Sequence, residues 1–186
     1  VFIHEKVYSK FRDLFVQKAK EIKIGNPLNY STRMGALIGR EHWEKVMGYV
    51  CRVEAPLKIT TGGDRPKEIK RGAFLAPTVI ENAPWDHAIS REEIFGPVLS
   101  ILTFRTPQEA IEKANNTPFG LSAGIWSDKG ARALWAAGKL KAGVIWLNTF
   151  NKFDPTSPFG GYKESGWGRE GGKHGLLPYL KSGVRN

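Results

Sequence analysis

Two adjacent carboxylates stand at a turn where they can bind a ligand that carries hydroxyl groups. Glu92 and Glu93 precede the turn Phe95-Gly96-Pro97, and an apolar, strand-like run begins at Val98. A carboxylate at such a strand start can accept hydrogen bonds from both hydroxyls of a ribose. The alternative is a solvated turn, in which both glutamates are surface residues and Phe95 belongs to the core.

A side-chain amide at the end of a second apolar run is the next candidate. Asn148 follows Val144-Ile145-Trp146-Leu147, and residues 143–148 are predicted to form a buried strand. An amide there can donate hydrogen bonds to a developing oxyanion, or it can hold an active-site loop in place. Trp146 is more typical of packing than of recognition. A long loop, residues 151–171, follows with little predicted regular structure, and loops of that length are usually functional or mobile.

Alternating helices and strands must position these residues. Apolar residues at helical spacing and runs of β-branched residues define the elements. Glycine-containing turns at 25–27 and 62–64 end two of them. The alternation predicts an α/β fold, a mostly parallel sheet with flanking helices, formed by a single domain over residues 1–186. The predicted strands cover residues 1–3, 57–61, 74–80, 98–104, 120–126 and 143–148, and the predicted helices cover 4–24, 40–54, 106–115 and 129–139.

The composition matches a globular protein and argues against several other classes. Hydrophobic residues make up 41% and charged residues 25% of the 186 positions, which argues against disorder and collagen-like repeats. No apolar run reaches the roughly 20 residues that cross a bilayer, and no export leader opens the chain, so no membrane partner is expected. The single cysteine, Cys51, forms no internal disulfide. A cytoplasmic location is therefore expected. Because no base neighbours it in sequence, this thiol is expected to be structural and not nucleophilic.

The net charge of +10 raises nucleic acid as a partner, but the distribution of charge argues against it. Basic residues are spread between Lys6 and Arg185 and alternate with acidic residues. No basic block or RNA-binding aromatic signature is present. The histidines lie far apart in sequence and without a Cys/His cluster, so no metal site is predicted.

Three motifs, in this order and at this spacing, resemble the aldehyde dehydrogenase superfamily. They are REEIFGPV at residues 91–98, GVIWLN at 143–148 and PFGGYKESGWGRE at 158–170. The likeness extends from Val1 to about Leu180. It implies the fold of the catalytic domain, an NAD or NADP cofactor, and oxidation of a small-molecule aldehyde to a carboxylic acid through a cysteine thiohemiacetal and thioester.

The resemblance assigns roles to the first two motifs. It implies that Glu93 accepts hydrogen bonds from the ribose hydroxyls and that Phe95 packs beside the nicotinamide end of the cofactor. Glu92 stays a surface residue. It gives Asn148 a supporting place behind the reacting groups, because the family's primary oxyanion donor lies upstream beside the nucleophile.

The loop after Asn148 resembles the segment that lines the family's aldehyde tunnel. Phe153 and Phe159 would form apolar walls, and Asn151 would set part of the entrance. An aromatic plug packed under a loop is the alternative. A lining with few fixed charges argues against strongly anionic substrates.

The third motif ends in an arginine and a glutamate to which the resemblance gives a catalytic part. It makes Glu170 a proton relay for the general base. Arg169, its neighbour, would hold the carboxylate ionised. The alternative is an exposed Arg–Glu pair without a catalytic role.

The same resemblance predicts that the chain is the C-terminal part of the catalytic domain and begins just after the catalytic cysteine. The family places its nucleophile a few residues before the strand matched by 1–3, and its cofactor-binding turn, ribose-contacting lysine and general base further upstream. The cofactor-binding domain is therefore expected outside this chain, and the isolated chain is expected to be inactive. Its expected partners are the missing N-terminal part and, in the complete enzyme, further copies in a homo-oligomer. Residues 181–186 lack the β-branched run of the family's intersubunit strand, and a non-catalytic scaffold related to aldehyde dehydrogenases is the competing interpretation.

Overall fold

The computed structural model describes residues 1–181, which form two compact units. Unit 1 covers Val1–Thr106, and unit 2 begins at Pro107. The single domain expected over 1–186 stays a prediction. In the sequence, residues 181–186 are compared with the family's intersubunit strand. Of these, residues 182–186 lie outside the described residues.

Unit 1 contains two longer helices and two small sheets. Strands β2, β3 and β4 form one sheet, antiparallel between β2 and β3 and parallel between β3 and β4, whereas β1 pairs with β5 in parallel. A 3-10 turn, Glu5–Val7, leads into the first helix. The strands are β1 (Phe2–His4), β2 (Lys58–Thr61), β3 (Thr78–Glu81), β4 (Val98–Ser100) and β5 (Leu102–Phe104), and the helices are α1 (Tyr8–Glu21), α2 (Arg40–Val50) and α3 (Ala88–Arg91).

Strand β3 is the buried centre of unit 1. Successive side chains of a strand point to opposite faces, and both faces of β3 are covered. Val79 packs in one core cluster with Ile3 and with Ala19 of α1. Ile80 packs in a second cluster with Val46 of α2. A strand with a helix on each face is the α/β arrangement that the sequence predicts.

The strand predicted at 98–104 is in fact two strands. Ile101 separates β4, which pairs with β3, from β5, which pairs with β1. The amide of Ile101 donates to the carbonyl of Ile80 at 3.0 Å. One apolar run therefore serves both sheets, and its hydrophobicity alone does not indicate the break.

Two further boundaries in unit 1 differ from prediction. The strand predicted at 74–80 begins only at Thr78, because the amide of Ala76 donates to the carbonyl of Asp64 and Pro77 has no amide hydrogen. Helix α2 ends at Val50, before the predicted end at residue 54.

Unit 2 contains a parallel crossover and a short antiparallel pair. Strands β7 and β8 pair in parallel with α5 between them in sequence, and β6 pairs with β9 in antiparallel orientation. Ala133 and Ala136 are the buried residues of α5. Three of the five strand pairs among residues 1–181 are thus parallel, as predicted. The elements are α4 (Pro107–Asn115), β6 (Phe119–Gly120), β7 (Ser122–Ile125), α5 (Gly130–Ala137), β8 (Val144–Leu147), β9 (Tyr162–Lys163), α6 (Gly172–Leu176) and a 3-10 turn, Leu177–Tyr179.

Three expectations for unit 2 need correction. The strand predicted at 120–126 is divided into β6 and β7. The strand predicted to be buried at 143–148 is half-buried except at Trp146. The loop at 151–171 holds β9 and a bridge between Phe159 and Glu170. Within the described part of the chain, no helix has the length and apolar character needed to span a membrane.

A buried carboxylate links α1 to the central sheet of unit 1. The side chain of Glu81 is 8% exposed. Tyr8 Oη donates to it at 3.1 Å, Thr60 Oγ1 donates to it as well, and the Arg12 guanidinium lies 3.6 Å away. Burial, together with the charge of Glu81 and the hydrogen bond to it, raises the pKa of Tyr8 to about 12.

Tyr8→Phe should lower the free energy of unfolding by about 1.5–3 kcal/mol, because a hydrogen bond to a buried carboxylate is lost. The pKa of Tyr8 is higher in the folded protein than its ordinary value of 10.0. Its contribution is therefore fully present below pH 10 and is lost as the pH rises through 12. Urea unfolding of both proteins between pH 7 and this range should show the difference shrink above pH 10, and a constant difference would contradict the assignment.

Candidate functional site

The two predicted cofactor residues lie in unit 1, on the turn between α3 and β4. Glu93 is exposed, and no hydrogen bond or ion pair engages its carboxylate among residues 1–181. Phe95 is 73% exposed, with a φ of 60°. The alternative prediction, that Phe95 belongs to the core, is therefore wrong. The turn presents a free carboxylate and an aromatic ring two residues apart.

Glu92, the other carboxylate of this turn, is engaged by a neighbouring helix. Tyr49 Oη of α2 donates to Glu92 Oε2 at 2.7 Å. This hydrogen bond is the main reason that the pKa of Tyr49 is raised. The two adjacent glutamates thus differ: Glu92 holds the turn to α2, and Glu93 keeps its acceptors free.

In unit 2 an aromatic cluster forms around Trp146. We use this name for Trp126, Trp146, Phe150, Phe153 and Phe159. Trp146 is 8% exposed, and its Nε1 donates to the carbonyl of Lys152 at 2.9 Å. Its ring lies 4.7 Å from that of Phe150 and 5.7 Å from that of Phe153, between centroids. Trp146 is therefore a packing residue, as predicted, and it fixes the start of the loop.

The predicted tunnel residues Phe153 and Phe159 lie side by side in this cluster. Their ring centroids are 5.0 Å apart in an edge-to-face arrangement, which is favourable for aromatic pairs. Phe153 and Phe150 remain more than half exposed, so the cluster offers an aromatic surface to a ligand. Asn151 is exposed with a φ of 56°, and its place at a tunnel entrance stays a prediction.

Asn148 fastens the end of β8 to the segment after β7. Its Nδ2 donates to the carbonyl of Ser127 at 3.0 Å, and its Oδ1 accepts from the amide of Ser127 at 2.9 Å. The residue has a φ of 53°. Both polar atoms of the side chain are used within unit 2. The amide therefore holds a loop in place, which is one of the two roles that its position in the sequence suggests.

Arg169 does not pair with Glu170, contrary to the expectation from their adjacency. Arg169 Nη1 lies 2.8 Å from the carbonyls of Gly161 and Gly168, and the guanidinium stacks 5.0 Å from the ring centre of Tyr162. Glu170 is exposed, and its backbone pairs with that of Phe159 through two hydrogen bonds of 2.7 Å. Adjacent side chains of an extended backbone point apart. Arg169 thus shapes the loop, and the Glu170 carboxylate has no partner among the described residues.

The second and third sequence motifs meet where their backbones approach closely. A Cβ added at Gly143 would lie 1.7 Å from the carbonyl oxygen of Gly160, and one added at Gly160 would lie 2.0 Å from that of Gly168. A side chain at either position would displace the backbone. Glycine is therefore required at both positions to bring the loop against the start of β8.

The remaining candidates take no part in these sites. Cys51 is exposed at the end of α2, and its expected structural, non-nucleophilic character stays a prediction. Among residues 1–181, no group of three His, Cys, Asp or Glu side chains is arranged to hold a metal ion. Asp154 accepts two hydrogen bonds from Thr156, and these lower the pKa of Asp154. A fixed negative charge thus lies close to the aromatic loop.

Four residues near these sites, Trp126, Phe150, His42 and Tyr49, have no role predicted from the sequence. Trp126 and Phe150 stack at 6.3 Å and extend the aromatic cluster, but they lie in segments that share no local pattern. His42 Nε2 lies 2.6 Å from the carbonyl of Phe95. The spacing of His42 and Tyr49 on one helix was the available signal, although their partners are more than 40 residues away in sequence.

Parallel strand pairs, a crossover helix and helices on both faces of a buried strand define an α/β protein. The model of the aldehyde dehydrogenase family matches residues 1–183. The chain therefore belongs to the aldehyde dehydrogenase family, which confirms the resemblance carried by the three motifs.

Similar proteins include two curated aldehyde dehydrogenases. The 4-trimethylaminobutyraldehyde dehydrogenase A of Danio rerio is 43% identical over 178 residues, 92% of this chain and 35% of the relative. The betaine aldehyde dehydrogenase of Bacillus subtilis is 40% identical over 184 residues, 97% of this chain and 38% of the relative. The crystal structure of betaine aldehyde dehydrogenase from Staphylococcus aureus in complex with NAD+ matches with a TM-score of 0.93 and 39% identity, over 97% of this chain and 36% of that one. The chain thus spans little more than a third of the length of these relatives.

Asn148→Ala should destabilise the protein more than Asn148→Gly does. Both variants lose the two hydrogen bonds to Ser127, but only alanine also meets the cost of a left-handed backbone, about 1–2 kcal/mol. The free energies of unfolding in urea should therefore differ by about this amount. Equal losses would mean that the backbone at residue 148 relaxes and that the side chain alone matters.

Proposed function

We propose that this chain forms the cofactor-clamping and substrate-lining part of an NAD(P)-dependent aldehyde dehydrogenase that oxidises an aldehyde to a carboxylic acid. The observation that carries the proposal is a free, exposed Glu93 carboxylate beside the exposed Phe95 ring, within a family match over residues 1–183. The Staphylococcus aureus relative, whose structure is a complex with NAD+, supports the choice of a nicotinamide cofactor.

The residues of the turn fit a nicotinamide cofactor. The two oxygens of Glu93 can accept hydrogen bonds from the two hydroxyls of one ribose, since no residue in the described chain competes for them. The Phe95 ring, held outside the core, can pack against a flat heterocycle. A nicotinamide cofactor held here would supply the hydride acceptor, and Glu93 and Phe95 would orient it.

The aromatic cluster supports an aldehyde that is apolar or carries a quaternary ammonium group. Exposed faces of Phe150, Phe153 and Trp126 favour apolar groups, and aromatic faces also attract ammonium cations. The relative named for 4-trimethylaminobutyraldehyde is consistent with such a substrate. The ionised Asp154 near this loop disfavours anionic aldehydes by charge repulsion.

Glu170 is proposed to relay a proton from the general base, and Asn148 to support the reacting groups by holding the Ser127 loop. The free carboxylate of Glu170 and its fixed backbone beside Phe159 support this assignment. The nucleophilic cysteine and the general base are assigned to parts of a longer protein outside these 186 residues. The chain covers little more than a third of the length of its relatives, which supports such a longer protein.

The complete polypeptide that contains this chain should reduce NAD+ or NADP+ in the presence of an aldehyde, as followed by the absorbance of the reduced cofactor. Trimethylammonium and neutral apolar aldehydes should react faster than aldehydes that bear a carboxylate. The isolated chain 1–186 serves as the control, and it should show neither turnover nor cofactor binding by calorimetry. Micromolar NAD+ binding by the isolated chain would contradict the division of roles. A complete polypeptide without turnover would favour a non-catalytic scaffold.

In the complete polypeptide, Glu170→Gln should slow thioester hydrolysis by roughly 10²-fold, because a proton relay is removed. Hydride transfer should remain nearly unchanged, so stopped-flow traces should show a larger burst of reduced cofactor before a slower steady rate. Glu164→Gln changes another exposed carboxylate of the same loop and should leave both phases unaltered. Wild-type burst and steady rate for Glu170→Gln would remove this residue from the mechanism.

A further inference from the structure

Helix α2 holds the turn of Glu93 and Phe95 at three points. His42, Val46 and Tyr49 are spaced at i, i+4 and i+7, which places them on one face of the helix. Each contacts a different residue of the turn at 92–96. This face of α2 therefore contacts the turn at several positions along the helix.

The first contact is a hydrogen bond to the backbone of Phe95. His42 Nε2 lies 2.6 Å from the Phe95 carbonyl oxygen, and the two rings meet edge to face at 6.2 Å between centroids. A carbonyl oxygen only accepts, so Nε2 of His42 carries the hydrogen and donates it. The neutral Nε2–H tautomer and the imidazolium both have this hydrogen. The contact consequently does not depend on the charge of His42.

The second and third contacts lie further along the helix. Val46 is fully buried, and a Cβ added at Gly96 would lie 2.9 Å from both of its methyl groups. Tyr49 Oη donates to Glu92 Oε2 at 2.7 Å. The two residues that flank Glu93 and Phe95, Glu92 and Gly96, are thus each fixed to α2.

The backbone of Phe95 explains why such a hold is needed. Its φ of 60° lies in the left-handed region, which is unfavourable for a bulky side chain. A strained residue keeps its conformation only where its surroundings determine it. The hydrogen bond from His42 is made to the carbonyl of Phe95, the strained residue.

We infer that His42 and Tyr49 are positioning residues for the cofactor, because they set the turn in which Glu93 and Phe95 face it. Neither residue touches the cofactor in this role. The inference rests on the proposed function, since it gives Glu93 and Phe95 the cofactor contacts. It also gives Glu92 a purpose distinct from that of Glu93: Glu92 orients the turn, and Glu93 binds.

The test compares variants of the complete polypeptide by KM for NAD+, KM for the aldehyde, kcat and melting temperature. Glu93→Gln is the reference and should raise KM for NAD+ roughly ten- to 100-fold, as expected for one charge-assisted hydrogen bond lost. His42→Leu and Tyr49→Phe should raise the same KM while KM for the aldehyde stays at the wild-type value. His42→Gln keeps an amide donor for the Phe95 carbonyl and should restore the wild-type KM for NAD+.

The matched control is Glu44→Gln, which removes an exposed ion pair with Arg40 on the same helix and should change no kinetic constant. If Glu93→Gln raises KM for NAD+ but His42→Leu and Tyr49→Phe do not, the positioning role is wrong and the proposed function stands. If Glu93→Gln has no effect, the proposed cofactor role of Glu93 fails, and the inference fails with it. A lower melting temperature with unchanged KM values would show a purely structural role and would also overturn the inference.

Discussion

The burial of both faces of β3 is the constraint on which unit 1 depends. Val79 and Ile80 point to opposite sides of this strand and anchor α1 and α2 respectively. Val46, the α2 residue packed with Ile80, also lies against Gly96. The core of the unit therefore reaches the turn that presents Glu93 and Phe95. The position of these two exposed residues is a consequence of hydrophobic packing beneath them.

Unit 2 uses a different device, in which backbone contact takes the place of a continuous core. Its loop lies against β8 through the glycines at 143 and 160, and Arg169 closes it by binding carbonyls. Trp146 then supplies the one buried ring of the aromatic cluster. The loop at 151–171 has little regular secondary structure. The Arg169 hydrogen bonds to carbonyls and the packing of Trp146 stabilise it instead.

The sequence predicts elements whose signals are local, and it fails where distant partners decide. Helix α4, predicted over 106–115, spans Pro107–Asn115, because a first-turn proline acts within its own turn. The break at Ile101 was missed, since it depends on which strands lie beside β4 and β5. The expected pairing of Arg169 with Glu170 is wrong because neighbours in sequence face apart in extended backbone. The role of Glu92 required Tyr49, which is 43 residues away.

The aromatic loop has a consequence for engineering. Its rings are gathered by Trp146, which lies on β8, and by the Trp146 hydrogen bond to Lys152. Residues 150–159 can therefore be exchanged for those of a relative as one cassette, provided that the tryptophan and the two glycine contacts are retained. The exchange should leave the folded scaffold in place and change only the exposed rings. Few coordinated changes are then needed, because the anchoring tryptophan and the exposed rings are separate residues.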